Sequence, residues 1–253
     1  MTTLRNNFDG GPDATALSAA NSGQVPGNDA FQVVSPSSPG SGVYVHYKDA
    51  ATLDRPTAEY VLKIKTDAVA TDNAAIWSTS MGTQTQVWWR EYIYFVSDLS
   101  LMSGDMTIFE SDNGAVYTGF CNITFGASPK VQASNGPSTS SVTSTNTVPI
   151  GAWMRLEGWY KYSTSVGEVQ VDLYFDADSD TPDETISATG WNMGAANANS
   201  FAFGSAFSDA YKPETYFSGL ELNNVGWPGP APFKSKGVPG ILTNPVAIHS
   251  DTR

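Results

Sequence analysis

Apolar and polar residues alternate with a period of two from about residue 30 to about residue 222, and no apolar stripe at helical spacing lasts longer than two turns. Such alternation puts every second side chain on one face of an extended chain. It predicts strands over Phe31–Val34, Val43–Tyr47, Glu59–Lys65, Ala75–Thr79, Thr85–Phe95, Met106–Glu110, Val116–Phe125, Trp153–Tyr162, Glu168–Phe175, Glu184–Ala188, Phe201–Phe207 and Thr215–Leu222. Between them lie turn-forming runs such as Ser35-Pro-Ser-Ser-Pro-Gly-Ser-Gly42, Asp112-Asn-Gly114 and Asp178-Ser-Asp-Thr-Pro182. Many short strands with polar turns make an all-β sandwich or barrel. No composition shift divides residues 1–226, which read as one domain.

Two segments depart from this pattern. Residues 126–149 form a long polar excursion with room for an irregular strand or two. Residues 227–253 hold several prolines, with Lys234 and Lys236 and no acidic residue before Asp251, and read as an extended arm without a core of its own. Trp227, Phe233, Lys234, Lys236 and Ile241 are its candidate anchors. The arm either docks on a neighbouring subunit or folds back on its own domain.

The strand faces carry the most suggestive pattern. In Val87–Phe95 one parity gives Val87, Trp89, Glu91, Ile93 and Phe95, a core set, and the other gives Trp88, Arg90, Tyr92 and Tyr94. Trp153, Arg155, Glu157 and Trp159 repeat the second kind of face, with Met154, Leu156 and Tyr160 opposite. Flat rings beside a guanidinium suit a carbohydrate- or protein-binding face. If these strands share a sheet, Gln170, Asp172 and Tyr174 extend it; the alternative is a face covered by loops of the same domain or by a second subunit.

Charge narrows the partners. The chain has 25 acidic against 13 basic residues and a net charge of −12, so it lacks the clustered Lys and Arg that nucleic acid requires. The same balance disfavours anionic membrane surfaces. No run reaches the ~18 apolar residues of a membrane span, so no membrane insertion is expected, and the first residues lack an apolar signal-peptide core. Cys121 excludes an internal disulfide and a multi-cysteine zinc site, and it reads as a buried core thiol.

The chain opens with Asn7-Phe-Asp-Gly-Gly11, Asn21-Ser-Gly23 and Asn28-Asp-Ala-Phe31. Further on come Pro149-Ile-Gly-Ala-Trp-Met-Arg-Leu-Glu157, Glu168-Val-Gln-Val-Asp-Leu-Tyr-Phe175, Phe201-Ala-Phe-Gly204, Tyr216-Phe-Ser-Gly-Leu-Glu-Leu222 and Gly226-Trp-Pro-Gly-Pro230. In this order the motifs, spanning about residues 6–230, resemble the concanavalin A-like lectin/glucanase superfamily. More narrowly they are similar to the laminin-G-like domains of virion structural (minor tail) proteins of actinobacteriophages. The resemblance implies a jelly-roll sandwich of two antiparallel sheets, and in a superfamily of lectins, glycosidases and structural modules it leaves the ligand open. Related closing strands carry an Asp pair where this chain has Ser218-Gly219.

Catalytic chemistry finds little purchase. The Glu-x-Asp-x-x-Glu motif of the superfamily's glycosidases is absent, and Glu168, Asp172 and Asp176 sit about 13 Å apart stepwise along an extended strand, too far for a retaining pair. The acidic run with Asp176, Asp178, Asp180 and Asp183 is a weak calcium candidate, since it lacks a glycine at the sixth position and has Ser187 at the twelfth. His46 and His249 lie near no recognisable nucleophile motif. The resulting expectation is a non-enzymatic bacteriophage virion protein without a required cofactor, made in the host cytoplasm. It would be a minor tail or baseplate component touching other virion proteins, copies of itself and host-surface glycan. Capsid decoration, or a soluble carbohydrate-binding module or glycoside hydrolase, is the alternative.

Overall fold

A computed structural model describes residues 2–8, 11–24, 26–35, 44–49, 60–65, 73–78, 80–96, 98–100, 104–205 and 213–231. Among these the fold is all-β, two antiparallel sheets packed face to face. Its strands in chain order are β1 (Thr3–Asn6), β2 (Val33–Ser35), β3 (Tyr44–Asp49), β4 (Tyr60–Lys65), β5 (Asn73–Ser78), β6 (Gln86–Phe95), β7 (Asp105–Asp112), β8 (Tyr117–Thr124), β9 (Lys130–Asn135), β10 (Ser141–Thr143), β11 (Trp153–Lys161), β12 (Gly167–Tyr174), β13 (Glu184–Trp191), β14 (Ser200–Ser205) and β15 (Thr215–Asn223). One sheet runs β13-β12-β11-β6-β15-β4-β3, with β1 also paired to β15. The other runs β10-β9-β8-β7-β14-β5-β2. Sequence neighbours such as β5 and β6 fall in different sheets, so the chain must close as a sandwich.

The alternation read from the sequence is the alternation that builds the core. Val87, Trp89, Ile93 and Phe95 of β6 point between the sheets with Met154, Leu156 and Tyr160 of β11 and Val169, Val171 and Leu173 of β12. Facing them are Met106, Phe109, Cys121, Ile123, Phe201 and Phe203 of the second sheet. Rings continue the packing from Phe8 through Phe31, Trp77, Phe203 and Phe109 to Trp89, which stacks on Phe109 with centroids 4.8 Å apart. Gly158, opposite Trp89 in register, makes room for that indole: a Cβ there would lie 2.2 Å from Trp89 Cε2. Cys121 is fully buried, and burial pushes its thiol well above the usual range, as the core reading requires.

Residues 126–149 contain β9 and β10, joined by a turn that Asn135 organises. Its Oδ1 accepts from Thr139 N and Ser140 N at 2.9 and 3.1 Å, and its Nδ2 donates to Asn192 O at 2.8 Å. Glu184 at the start of β13 accepts from the backbone N–H groups of Thr145 and Asn146, tying the edge of one sheet to the polar excursion of the other. Near the N-terminus a four-residue helix, α1 (Ala19–Ser22), is capped by Ser18. Asn6 binds Ser22 O and Asp29 O and accepts from Phe8 N, which holds buried Phe8 at a φ of 58°.

Candidate functional site

The outer face of the β6 sheet is laid out in rows by the strand register. One row runs Asn223, Trp88, Trp159, Gln170, Ser187; the next runs Arg5, Glu221, Arg90, Glu157, Asp172, Thr185. A third runs Ser218, Tyr92, Arg155, Tyr174, and a fourth Tyr216, Tyr94, Trp153. The strands bearing Trp88, Arg90, Tyr92, Tyr94, Arg155, Glu157 and Trp159 are therefore adjacent, and Gln170, Asp172 and Tyr174 extend the same face.

Its two middle rows are covered by the domain's own loops. Arg155 donates to Ala177 O and Ser179 O at 2.8 and 2.7 Å and lies over the Tyr174 ring, 3.7 Å from its centroid. Its Nε stands 2.8 Å from Glu157 Oε1, an ion pair whose angles fall short of a hydrogen bond. The chain leaving β15 crosses the same face as a strap, residues 226–231. Gly229 N donates to Glu157 Oε2 at 3.2 Å, Arg90 Nη1 donates to Gly229 O at 2.8 Å, and Ala231 N donates to Tyr92 Oη at 2.7 Å. Arg90, Tyr92, Arg155 and Glu157 are consequently buried. Arg90 is lowered by desolvation, partly offset by Glu221, and Glu157 is raised by desolvation against the opposing pull of Arg155, the Gly229 N–H and Arg90. Each buried charge has an opposite partner, the condition under which such groups are tolerated.

A β-bulge sets one side of this arrangement. Between Ser218 and Glu221 the register of β15 shifts, with Gly219 at a φ of 56°. The extra residue leaves Phe217, Leu220 and Leu222 in the core while Ser218 and Glu221 both face outward. It also aims Gly219 O at Arg90 Nε, 2.9 Å away. Glu221 then joins two arginines, with Arg5 Nε at 2.9 Å and Arg90 Nη2 at 3.4 Å. Sequence reading missed Arg5 and Glu221; Glu221 lies between the apolar Leu220 and Leu222, but it shares a parity with Phe217, so strict alternation hides its outward direction until the bulge is seen.

What remains open is the first row. Trp88 and Trp159 are half-buried cross-strand neighbours with centroids 6.1 Å apart and planes 20° from parallel. Beside them Gln170 Nε2 donates to Asp172 Oδ1 at 3.0 Å, and Ser187 is exposed. Lys161 and Glu168 pair at the next register position. In the fourth row Tyr94, half-buried, lies 5.5 Å from Trp153 and 6.0 Å from Tyr216.

The acidic run forms a turn. Asp183 accepts from Phe175 N at 2.6 Å and Asp176 from Asp178 N at 3.3 Å, both local turn bonds. Among the described residues no three His, Cys, Asp or Glu side chains come together to hold a metal ion, so Asp176, Asp178, Asp180 and Asp183 do not converge. Of the arm anchors, Trp227 is 42% exposed on the strap. Phe233, Lys234, Lys236 and Ile241 lie outside the described residues, as does His249.

No protein-family model matches the chain, and no curated protein sequence does. Solved structures match in shape. The cellulose-induced protein Cip1 is 14% identical, with a TM-score of 0.50 over 87% of this chain and 97% of that one. The CBM2 module of the evolved Dit of Lactobacillus casei BL23 phage J-1 is 12% identical, with a TM-score of 0.45 over 88% and 97%. The alginate lyase from Klebsiella pneumoniae is 8% identical, with a TM-score of 0.48 over 74% and 86%. The likeness to Cip1 is one of fold, and it carries neither ligand nor reaction to this chain.

Proposed function

We propose that this chain is a non-enzymatic glycan-binding module of a bacteriophage virion, a minor tail or baseplate component whose sugar contact is the Trp88–Trp159 row. The observation that carries the binding half is the pair of adjacent indoles left half-open beside middle rows that the chain's own loops largely cover. Indole faces stack on the C–H faces of sugar rings, and Gln170 and Ser187 supply the hydrogen-bonding groups that such contacts need for orientation. The virion half rests on the order of motifs from Asn7 to Pro230, which resembles laminin-G-like virion domains. Many copies on one particle make a weak individual site serviceable by avidity.

The carboxylates of the face favour binding over hydrolysis. Glycoside hydrolysis requires two carboxyl groups free to flank one glycosidic bond. Here Glu157 is held by Arg155 and the strap, Glu221 by two arginines, and Asp172 by Gln170 and Thr185.

A glycan array that includes bacterial cell-envelope polysaccharides, probed with wild type and Trp88→Ala/Trp159→Ala, tests the reading. Binding by wild type and its loss in the folded double variant is the expected result. No binding on a broad array, or binding indifferent to both tryptophans, would sink it.

A further inference from the structure

Between the strap and the β1 side of the face lies a pocket of about 290 Å³ that none of the sequence readings anticipated. Its polar lining includes Arg5, Asn7, Ser218 and Glu221, and Pro228 and Pro230 form an apolar wall. The volume sits at the low end of small-molecule sites, about 300–1,000 Å³, which suits one sugar ring rather than a chain.

Its polar groups are unevenly used. Arg5 engages Glu221 through Nε and Nη2, at 2.9 and 3.4 Å, and its Nη1 has no partner among the described residues. The Arg5 side chain is 58% exposed, so this nitrogen is reachable. Ser218, 1% exposed, turns outward from β15 into the lining, where its hydroxyl offers both a donor and an acceptor. Among the described residues Asn7 bonds through its backbone N–H, to Asn28 Oδ1, and its carboxamide has no hydrogen-bond partner. Glu221 pairs with both Arg5 and Arg90, so the lining holds two guanidinium groups and one carboxylate, with Asp29 acting on Arg5 and Glu157 on Arg90 from just outside it.

We infer that this pocket is a binding site for a single carboxylated sugar, a uronate-type residue. Arg5 Nη1 would meet the carboxylate, Ser218 and Asn7 the ring hydroxyls, and the proline rings an apolar sugar face. A guanidinium supplies the charge-assisted donor that a carboxylate needs, and the hydroxyl and carboxamide each offer both donor and acceptor. The site stands apart from the Trp88–Trp159 row and uses none of its residues, so either can fail alone.

The test is an NMR titration of the full chain with methyl β-D-glucuronide, methyl β-D-glucoside and acetate. Wild type, Arg5→Gln and Ser218→Ala would be compared, each first shown to melt cooperatively. The expected result is saturable shifts at Arg5, Asn7 and Ser218 with the glucuronide, and affinity for the glucoside and for acetate at least about tenfold weaker. Arg5→Gln should lower glucuronide affinity about tenfold and Ser218→Ala about threefold, sizes typical of a lost charge-assisted and a lost neutral hydrogen bond. Glucuronide shifts absent up to about 20 mM, far above a 1 mM dissociation constant, would overturn the inference. Equal affinity for the glucoside, or affinity unchanged in Arg5→Gln, would overturn it as well.

Discussion

Replacing Glu91 by leucine removes a carboxyl group that β6 turns into the core. Glu91 is 1% exposed, lies opposite Leu156 in register, and its Oε2 is buried without a hydrogen-bond partner. Desolvation pushes its pKa well above the usual carboxylate range, so the folded protein holds a proton there that the unfolded chain releases near pH 4.3. An unsatisfied buried polar group costs about 1–3 kcal/mol, and leucine fills similar space without that cost. Glu91→Leu should therefore be about 1–3 kcal/mol more stable than wild type at pH 5, or about 2–4 °C in Tm per kcal/mol for a domain of this size. Above the unfolded-state pKa the native state binds more protons than the unfolded state. Wild-type stability then falls with rising pH, by up to about 1.4 kcal/mol per unit, until the folded-state pKa is reached. The advantage of Glu91→Leu should accordingly widen between pH 5 and pH 7. Thermal melts of both proteins across that range measure it. A variant less stable than wild type, with a deficit independent of pH, would refute the reasoning by showing that the carboxyl is satisfied in the fold.

Three further outcomes follow from the packing and the strap. Gly158→Ala puts a methyl group 2.2 Å from Trp89 Cε2, and overpacking of this kind should cost about 1–3 kcal/mol in denaturant melts followed by tryptophan fluorescence. Truncation after Gly226 removes the partners that Arg90, Tyr92 and Glu157 find in Gly229 and Ala231, and should cost about 2–4 kcal/mol. Truncation after Ala231 keeps those bonds and should melt closer to the full chain than truncation after Gly226 does; failure of that folded variant to enter particles would mark residues 232–253 as the anchor.

Alternation carried most of the fold, because strands buried on one face must repeat every two residues: each strand predicted from Phe31–Val34 to Thr215–Leu222 has a counterpart among β2–β8 and β11–β15. β1 was passed over, and β9 and β10 were expected only as an irregular strand or two within residues 126–149; all three are short and largely polar. Lys130–Asn135 buries Val131 and Ala133, but its last inward position is Asn135, a turn organiser that breaks the apolar pattern. Periodicity placed Glu91 in the core and Trp88, Arg90 and Tyr92 on the other face, and it was right about both. It could not show that Arg90 and Tyr92 lie beneath residues 229–231, because contacts 139 positions apart leave no local signature. Ser218-Gly219, which sequence marked only as a departure from the Asp pair of related strands, proved to be the bulge that aims Gly219 O at Arg90 and Ser218 at the pocket.

On the proposed function, sugar meets this protein at Trp88 and Trp159. The most direct test of this follows the indole N–H resonances of the seven tryptophans while the strongest glycan from the array is titrated in. Shifts are expected at Trp88 and Trp159, with Trp77 and Trp89, fully buried between the sheets, unmoved. Shifts confined to other tryptophans, or saturable binding that moves neither Trp88 nor Trp159, would contradict it.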